Sequence, residues 1–418
     1  MPGRDRKIVV NGVGCSCADY LFTGFDFNSE RFQKYVSKKP GDGGISIGHL
    51  IFRRDLEAFA GKSMDEIRKD QGWLRENDHF SVGGPCIVGL INAAQLLKGG
   101  LIDNPDQCEF NFYGAMGQDV TGDRMLKVIN QCPVNLDHYL RMPNHPSAAT
   151  LVLSDQNYKN GSGERSFVYH GGALDAYTPE MLGEDFFKAD VTFFSGTASV
   201  PQIHANITTL LRRAKAYGSV TVVGTVFDFL NEKRNPHKRW PLGESDESYR
   251  LIDLLAVDFV EAQRMSGEAN IEKAIAFLMR SGVHSLFVTN GDEAGYVFSD
   301  GKLFTKQALS RFKICQKAVE HLKANPHLRG DTTGCGDNFA GGLLASIVKQ
   351  LNSGRKPGEL SLADALGWAN GSGSFCCYSV GGTYLEKQPG EKLRGVRRIH
   401  DLYVEQLVAE GAVHVAKM

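Results

Sequence analysis

Residues 331–346 read Asp-Thr-Thr-Gly-Cys-Gly-Asp-Asn-Phe-Ala-Gly-Gly-Leu-Leu-Ala-Ser, and this stretch decides the fold. It is a glycine-rich turn running into a helix. From Asn338 to Val348 the residues are small or apolar apart from Asn338 and Ser346, as a buried helix requires. Gly334 and Gly336 permit a turn that a residue with a Cβ would resist. The first N–H groups of a helix have no partner inside it, and the helix dipole adds partial positive charge there. Such an end binds an anion, typically phosphate. Asp337 stands at the mouth of this site. A carboxylate repels bound phosphate, so its presence calls for a task, and taking the proton from an attacking hydroxyl is such a task. The plainer alternative is an aspartate that only caps a helix.

The stretch resembles the D-T-x-G-x-G-D signature of the ribokinase-like (PfkB-type) carbohydrate kinases. Every fixed position is present, and the second variable one, often Ala, is Cys335. The resemblance implies an α/β fold: a three-layer α/β/α core around a mostly parallel sheet, with a small lid. It implies ATP-dependent phosphorylation of a small sugar or related polyol, with Mg²⁺ on the phosphates. It makes Asp337 the catalytic base and the amides of Gly334, Cys335, Gly336 and Asp337 the anion hole. Asp331 and Thr333 match positions that hold a monovalent cation, K⁺, in part of the family. A thiol beside anion-binding amides is expected to have a lowered pKa, which would make Cys335 reactive; it is equally a slightly larger Ala.

Composition agrees with an enzyme of small molecules. The chain has 418 residues and a formal net charge of −1. That balance offers no electrostatic case for nucleic acid or an anionic membrane. No window approaches the roughly 18 uninterrupted apolar residues of a membrane span. Residues 1–7 are basic, but the apolar run after them is short and glycine-broken, a poor signal peptide. The nine cysteines are odd in number and show no paired C-x-x-C spacing. Neither a zinc site nor a disulfide framework is suggested, and a reducing cytoplasm is the expected compartment.

Taken in order, residues 7–14 read as a buried strand ending in glycines, and Asp19 follows. In the family an acid at this point binds sugar hydroxyls; the plainer reading is a turn aspartate. Residues 29–80 are mixed and polar, with short helical pieces expected at 53–61 and 64–71. Gly83-Gly84-Pro85 opens an apolar helix and resembles the first family signature, in which Gly-Gly lets the backbone approach the sugar. Where the family places an Asn, this chain has Val88, with Asn92 one turn later as a weak substitute. Gly114, Gly117, Asp119 and Gly122 fit the family's G-x-x-G-x-D-x-x-G. Residues 148–170 alternate as a hairpin, expected to complete the lid and to offer an edge for a homodimer. Its Arg165 is assigned to substrate or to solvent.

From residue 190 the pattern is α/β. Loop 231–241 is basic, and Asp228, Asn231 and Arg234 resemble a sugar-kinase stretch with altered spacing. Asp258 and Glu261 resemble the family's N-x-x-E, whose Glu organises Mg²⁺, with Asp replacing Asn. Thr289, Gly291 and Gly295 resemble the nucleotide-side T-x-G-x-x-G with one extra residue before the last glycine, and Asn370 falls where the family lines the adenine pocket. The expected division is a core of 1–28, 81–147 and 173–418 with a lid of 29–80 and 148–172. A nucleoside kinase of the same fold is the alternative function, and a non-catalytic sugar or nucleotide sensor is a third.

Overall fold

The computed structural model describes residues 7–39, 41–72, 79–158, 164–330 and 332–410. Asp331 and the polar turn at 160–163 lie outside the described residues. Among the described residues fourteen strands form in chain order: β1 (Ile8–Gly14), β2 (Cys17–Phe22), β3 (Leu50–Phe52), β4 (His79–Gly83), β5 (Cys108–Gly117), β6 (Tyr139–Met142) and β7 (Ala149–Asp155). They continue as β8 (Glu164–His170), β9 (Val191–Ser195), β10 (Val220–Gly224), β11 (Leu254–Asp258), β12 (Ser285–Thr289), β13 (Gly295–Ser299) and β14 (Gln307–Phe312).

Nine strands make the main sheet, in the order β14-β13-β12-β11-β10-β9-β1-β5-β6. All pairings from β12 to β6 are parallel, and β13 and β14 are antiparallel. The inner strands are continuous apolar runs because both faces are covered. On one face lie the helices Pro85–Leu96, Cys335–Asn352, Leu362–Cys376 and Glu391–Ala409, with Leu90, Leu343, Trp368 and Val396 in one core. On the other lie Ile207–Ala216, Phe259–Ser266 and Ile271–Arg280, with Leu211, Ala262 and Leu278 in a second. This is the expected three-layer α/β/α fold.

A second sheet of five strands runs β3-β8-β7-β2-β4. It carries its own core of Phe27, Phe32, Leu56, Ile67, Leu153 and Val168. The insert is thus more than a bare sheet: the helices Arg53–Ala60 and Met64–Gln71 pack their apolar faces onto it. Ser63 and Glu66 close a capping box that starts the second helix. The small sheet also takes in β2 and the end of β4, residues that the sequence division had given to the core. Backbone pairing to β7, invisible in the local sequence, recruits β2.

In the main sheet the strand order reverses at β1, whose neighbours β5 and β9 lie on opposite sides. In open α/β sheets ligands bind beyond the carboxyl ends of strands at such a switch point. β1 and β9 approach so closely there that a Cβ on Gly14 would stand 1.7 Å from the Ser195 carbonyl oxygen. Among the described residues no helix is long and apolar enough to cross a membrane.

Candidate active site

The helix Cys335–Asn352 begins at Gly334, whose φ of 80° is the left-handed conformation that glycine accepts without strain. A Cβ on Gly334 would lie 2.4 Å from Gly382 Cα, so the Gly381-Gly382 turn packs directly on the loop. The first helical bond runs from the Asn338 N–H to the Gly334 carbonyl, at 2.9 Å. The Cys335 N–H turns back to the Thr332 carbonyl. The Gly336 and Asp337 amides precede the first helical bond, and a Cβ on Gly336 would meet nothing within 4 Å. Both features suit a cradle for an anion.

Asp337 keeps partial solvent access. The protein around it nevertheless pushes its pKa up to about 7, through burial first and the Asp19 carboxylate second. Asp19 projects from β2, opposite Ser81 on β4 and Thr150 on β7. Its position depends on Gly83: a Cβ there would stand 2.0 Å from Asp19 Oδ2. Gly84 has φ 105°, and a Cβ would lie 2.6 Å from the Cys15 carbonyl oxygen. The two glycines therefore make room for the acid and for the chain turning past it.

A cavity of about 160 Å³ opens beside these groups. Asp19, Gly84, Thr150, Asp175 and Ser199 supply its polar lining, and Phe52, Tyr169, Phe227 and Phe229 supply rings. No lysine or arginine is among the described lining residues. Asp175, which sequence reasoning missed, has its pKa raised by burial. It sits in a short turn after β8 with no motif around it.

Asp258 and Glu261 form a reciprocal cap on the helix Phe259–Ser266. Asp258 Oδ1 accepts from the Glu261 N–H at 2.7 Å, and Glu261 Oε2 accepts from the Asp258 N–H at 3.1 Å. Asp replaces the family's Asn without loss because both cap helices well. Thr225 Oγ1 donates to the same Oε2 at 2.5 Å, which leaves Oε1 for a hydrated cation. Burial, then the Asp258 charge, pushes the Glu261 pKa up to about 8, with a further contribution from Asp337. Burial raises Asp258 as well. Two carboxylates held this way would be stabilised by a cation, so the pair fits Mg²⁺. Among the described residues no group of three or more His, Cys, Asp or Glu is arranged to hold a metal.

Thr289 pairs in register with Asp258 at the ends of β12 and β11. Gly291 turns with φ 56°, and Gly295 starts β13, where a Cβ would stand 2.3 Å from the Val288 carbonyl oxygen. Asn370 does not join the site: it is buried, and its amide donates to the Leu366 carbonyl of its own helix. One turn on, a Cβ on Gly373 would lie 3.2 Å from the Cys335 carbonyl oxygen, so the helix reaches the loop through that glycine.

Cys335 and Asn92 depart from expectation, and the remaining candidates are placed as follows. Hydrogen bonds with Cys376 and Cys377, then burial, hold the Cys335 pKa above the ordinary thiol range rather than below it. Asn92 is no substitute sugar contact, since it is buried and donates to the Asn338 carbonyl at 3.1 Å. Val88 is buried under Gly382, where a Cβ would lie 3.2 Å from Val88 Cγ2. Asp228 is buried and caps the helix Phe229–Arg234 through Asn231. In the basic loop Lys233 pairs with Asp55 of the insert and Arg239 with Asp246. Asp119 caps the helix Val120–Ile129 and accepts from the Ser147 amide at 2.8 Å, a structural lock. Arg165, on β8, reaches Thr333 beside the glycine loop, with Nη1 3.0 Å from Oγ1.

Comparison with known proteins gives the family and the fold. Residues 45–388 match the family model described as pfkB family carbohydrate kinase. A rice (Oryza sativa subsp. japonica) protein named Fructokinase-2 is 27% identical over 285 residues, covering 65% of this chain and 74% of that protein. The Vibrio alginolyticus Fructokinase is 24% identical over 275 residues, with 65% and 80% covered. Among solved structures, the Schistosoma mansoni adenosine kinase with 2-fluoroadenosine superposes with a TM-score of 0.64 at 13% identity, covering 90% of this chain and 96% of that one. The Arabidopsis thaliana ribokinase with ribose and ATP gives 0.57 at 16% identity, covering 94% and 99%. These two show the fold. The match over most of its length makes this chain a member of the pfkB family of carbohydrate kinases, phosphotransferases with an alcohol group as acceptor.

Proposed function

We propose that this chain transfers the γ-phosphoryl group of ATP to a hydroxyl of a small neutral polyol, most simply a sugar. The observation that carries the reading is the placement of Asp337. Its carboxylate stands at the start of a helix with the Gly336 and Asp337 amides ahead of the first helical bond, and its pKa is about 7. A base poised near the working pH combines the right protonation state with useful proton affinity. The helix-start amides stabilise charge on the transferring group.

In this reading Asp19 accepts hydroxyl hydrogen bonds from the acceptor, with Gly83 and Gly84 letting it approach. Asp175 is a second acceptor carboxylate in the same cavity. A cavity with two acids and no described cation suits a neutral acceptor and opposes sugar acids and phosphosugars. Mg²⁺ would lie by Glu261 and Asp258, where it neutralises phosphate charge. Thr289, Gly291 and Gly295 form the nucleotide-side edge. Arg165 acts on the phosphate side rather than on the sugar, because its guanidinium already stands on the Thr333 hydroxyl.

The rings lining the cavity favour a second reading. Phe52, Tyr169, Phe227 and Phe229 offer apolar surface that a free sugar would not use, and aromatic side chains stack readily on a flat base. A nucleoside acceptor would occupy both the acids and the rings. ADP release with Mg·ATP against sugars, sugar acids, phosphosugars, inositols and nucleosides decides between them. Turnover with a neutral sugar or a nucleoside supports the reading. Turnover only with sugar acids or phosphosugars contradicts the neutral cavity, and no turnover with any acceptor contradicts the kinase.

A further inference from the structure

The glycine loop carries a thiol that phosphoryl transfer does not use. Cys335 is the first residue of the helix Cys335–Asn352, between the two loop glycines. Cys377 caps the C-terminal end of the neighbouring helix Leu362–Cys376. The two sulfurs are 3.4 Å apart, and both residues keep partial solvent access. Cys376 also neighbours Cys335 and donates to the Thr333 carbonyl at 3.3 Å, but it is buried, whereas Cys377 keeps the solvent access that an incoming disulfide needs. These two helices pack along one another, which holds the pair together.

We propose that Cys335 and Cys377 are the site of a reversible disulfide that switches off phosphoryl transfer. The proposal rests on the kinase reading for its consequence, but not for its chemistry. The co-reactant is a small-molecule disulfide. The Cys377 sulfur, its proton lost to solvent, attacks one sulfur of that disulfide and expels the other half as a thiolate. Cys335 then attacks the Cys377 sulfur of the mixed disulfide, giving its proton to the second departing thiolate. Two protein thiols and one small disulfide become one protein disulfide and two small thiols.

The bond shortens the sulfur separation from 3.4 Å to roughly the 2.05 Å of a disulfide. The strain falls on the first residue of the catalytic helix, next to the Gly336 and Asp337 amides. A displacement of the order of 1 Å at reacting groups can cost about 10²-fold in rate, and a loss of that size is expected.

The test incubates the reduced full-length chain with millimolar oxidised glutathione. Peptide mapping by mass spectrometry then reads the bonds, and ADP release with an accepted substrate reads turnover, before and after dithiothreitol. The Cys377→Ser variant, which leaves the loop untouched, is treated in parallel. The proposal expects a Cys335–Cys377 peptide, an activity loss restored by dithiothreitol, and resistance of C377S. It is overturned by glutathione adducts without that peptide, by a Cys376 pairing, by full activity of the cross-linked chain, or by equal inactivation of C377S. If reduced protein turns over no acceptor, the kinase reading fails. The peptide map still decides whether the disulfide forms, and a map without it sinks the thiol proposal independently.

Discussion

Arg165 Nη1 lies 3.0 Å from Thr333 Oγ1, which joins the small sheet to the glycine loop of the main domain. One residue comes from the hairpin strand β8, the other from the D-T-T-G-C-G-D stretch 168 positions later. This contact places a positive charge of the hairpin next to the proposed phosphoryl site. Arg165→Lys keeps the charge but loses the planar fork. Turnover is expected to fall about 10- to 100-fold, the size of a lost transition-state contact of ~1.4–2.7 kcal/mol. Steady-state kinetics with Mg·ATP check it.

Gly83→Ala tests the link between the Gly-Gly pair and the acceptor. The new Cβ would meet Asp19 Oδ2 at 2.0 Å, so the carboxylate must swing away. The expected result is a KM for the acceptor raised ~10-fold or more, of the order of one lost charged hydrogen bond, with little change in the KM for ATP. An equal rise in both would mean that Gly83 serves the fold rather than Asp19.

Lys392 stands behind the loop. It is 1% exposed, and its Nζ lies 2.9 Å from Asn338 Oδ1. Asn338 in turn donates to the carbonyls of Gly334 and Gly382, both at 2.9 Å. Burial brings the Lys392 pKa down to about 8. Lys392→Met leaves the Asn338 oxygen without its donor, at a cost of about 1–3 kcal/mol. Urea unfolding is expected to show that loss. Because Asn338 fixes the left-handed Gly334 turn, turnover should fall as well.

The raised pKa of Asp337 has a cost in stability, and its sign can be worked out. With a folded pKa near 7 and an unfolded value near 3.8, the folded chain holds a proton between those values that the unfolded chain has lost. Stability from this group is therefore full below the unfolded pKa and is lost as pH rises through the folded one. Asp337→Asn never ionises there. Its advantage in melting temperature over wild type should grow from pH 4 to pH 7 and stay constant above. A constant difference across that range would contradict the raised pKa.

The glycine loop and Gly83-Gly84 were legible in the sequence because each is a local device, complete within a few residues; Asp258 and Glu261 were legible as a motif before a helix, and their reciprocal cap came from the structure. The helical pieces of the insert were legible for the same reason. Strands β2, β6 and β14 were not: β14 is a half-exposed edge without clean alternation, and β2 is defined by its pairing with β7. Asp175, Phe52 and Phe229 lie in segments without motifs and meet only across the cavity. Lys392 escaped notice because its importance comes from packing of the last long helix on the loop, and Cys377, read from the sequence as a small buried hydrophobe like its neighbour Cys376, keeps partial solvent access. Cys335 shows the limit of a local argument. A helix start predicts an acidic thiol, but two neighbouring thiols and burial outweigh it. Asn370 was placed by family pattern alone, and its side chain turns into its own helix.

The account stands on Asp337 as the base, and the pH dependence of kcat/KM tests it most directly. Wild type should rise along an acid limb near pH 7, since the carboxylate must be ionised to take the proton. Asp19→Asn should move that limb to lower pH, because losing a like charge favours the ionised form. Asp337→Asn should lose ~10²–10⁴-fold at the plateau and show no such limb, with ATP binding retained. Near-wild-type turnover of Asp337→Asn, or an unchanged limb in that variant, would contradict the central claim.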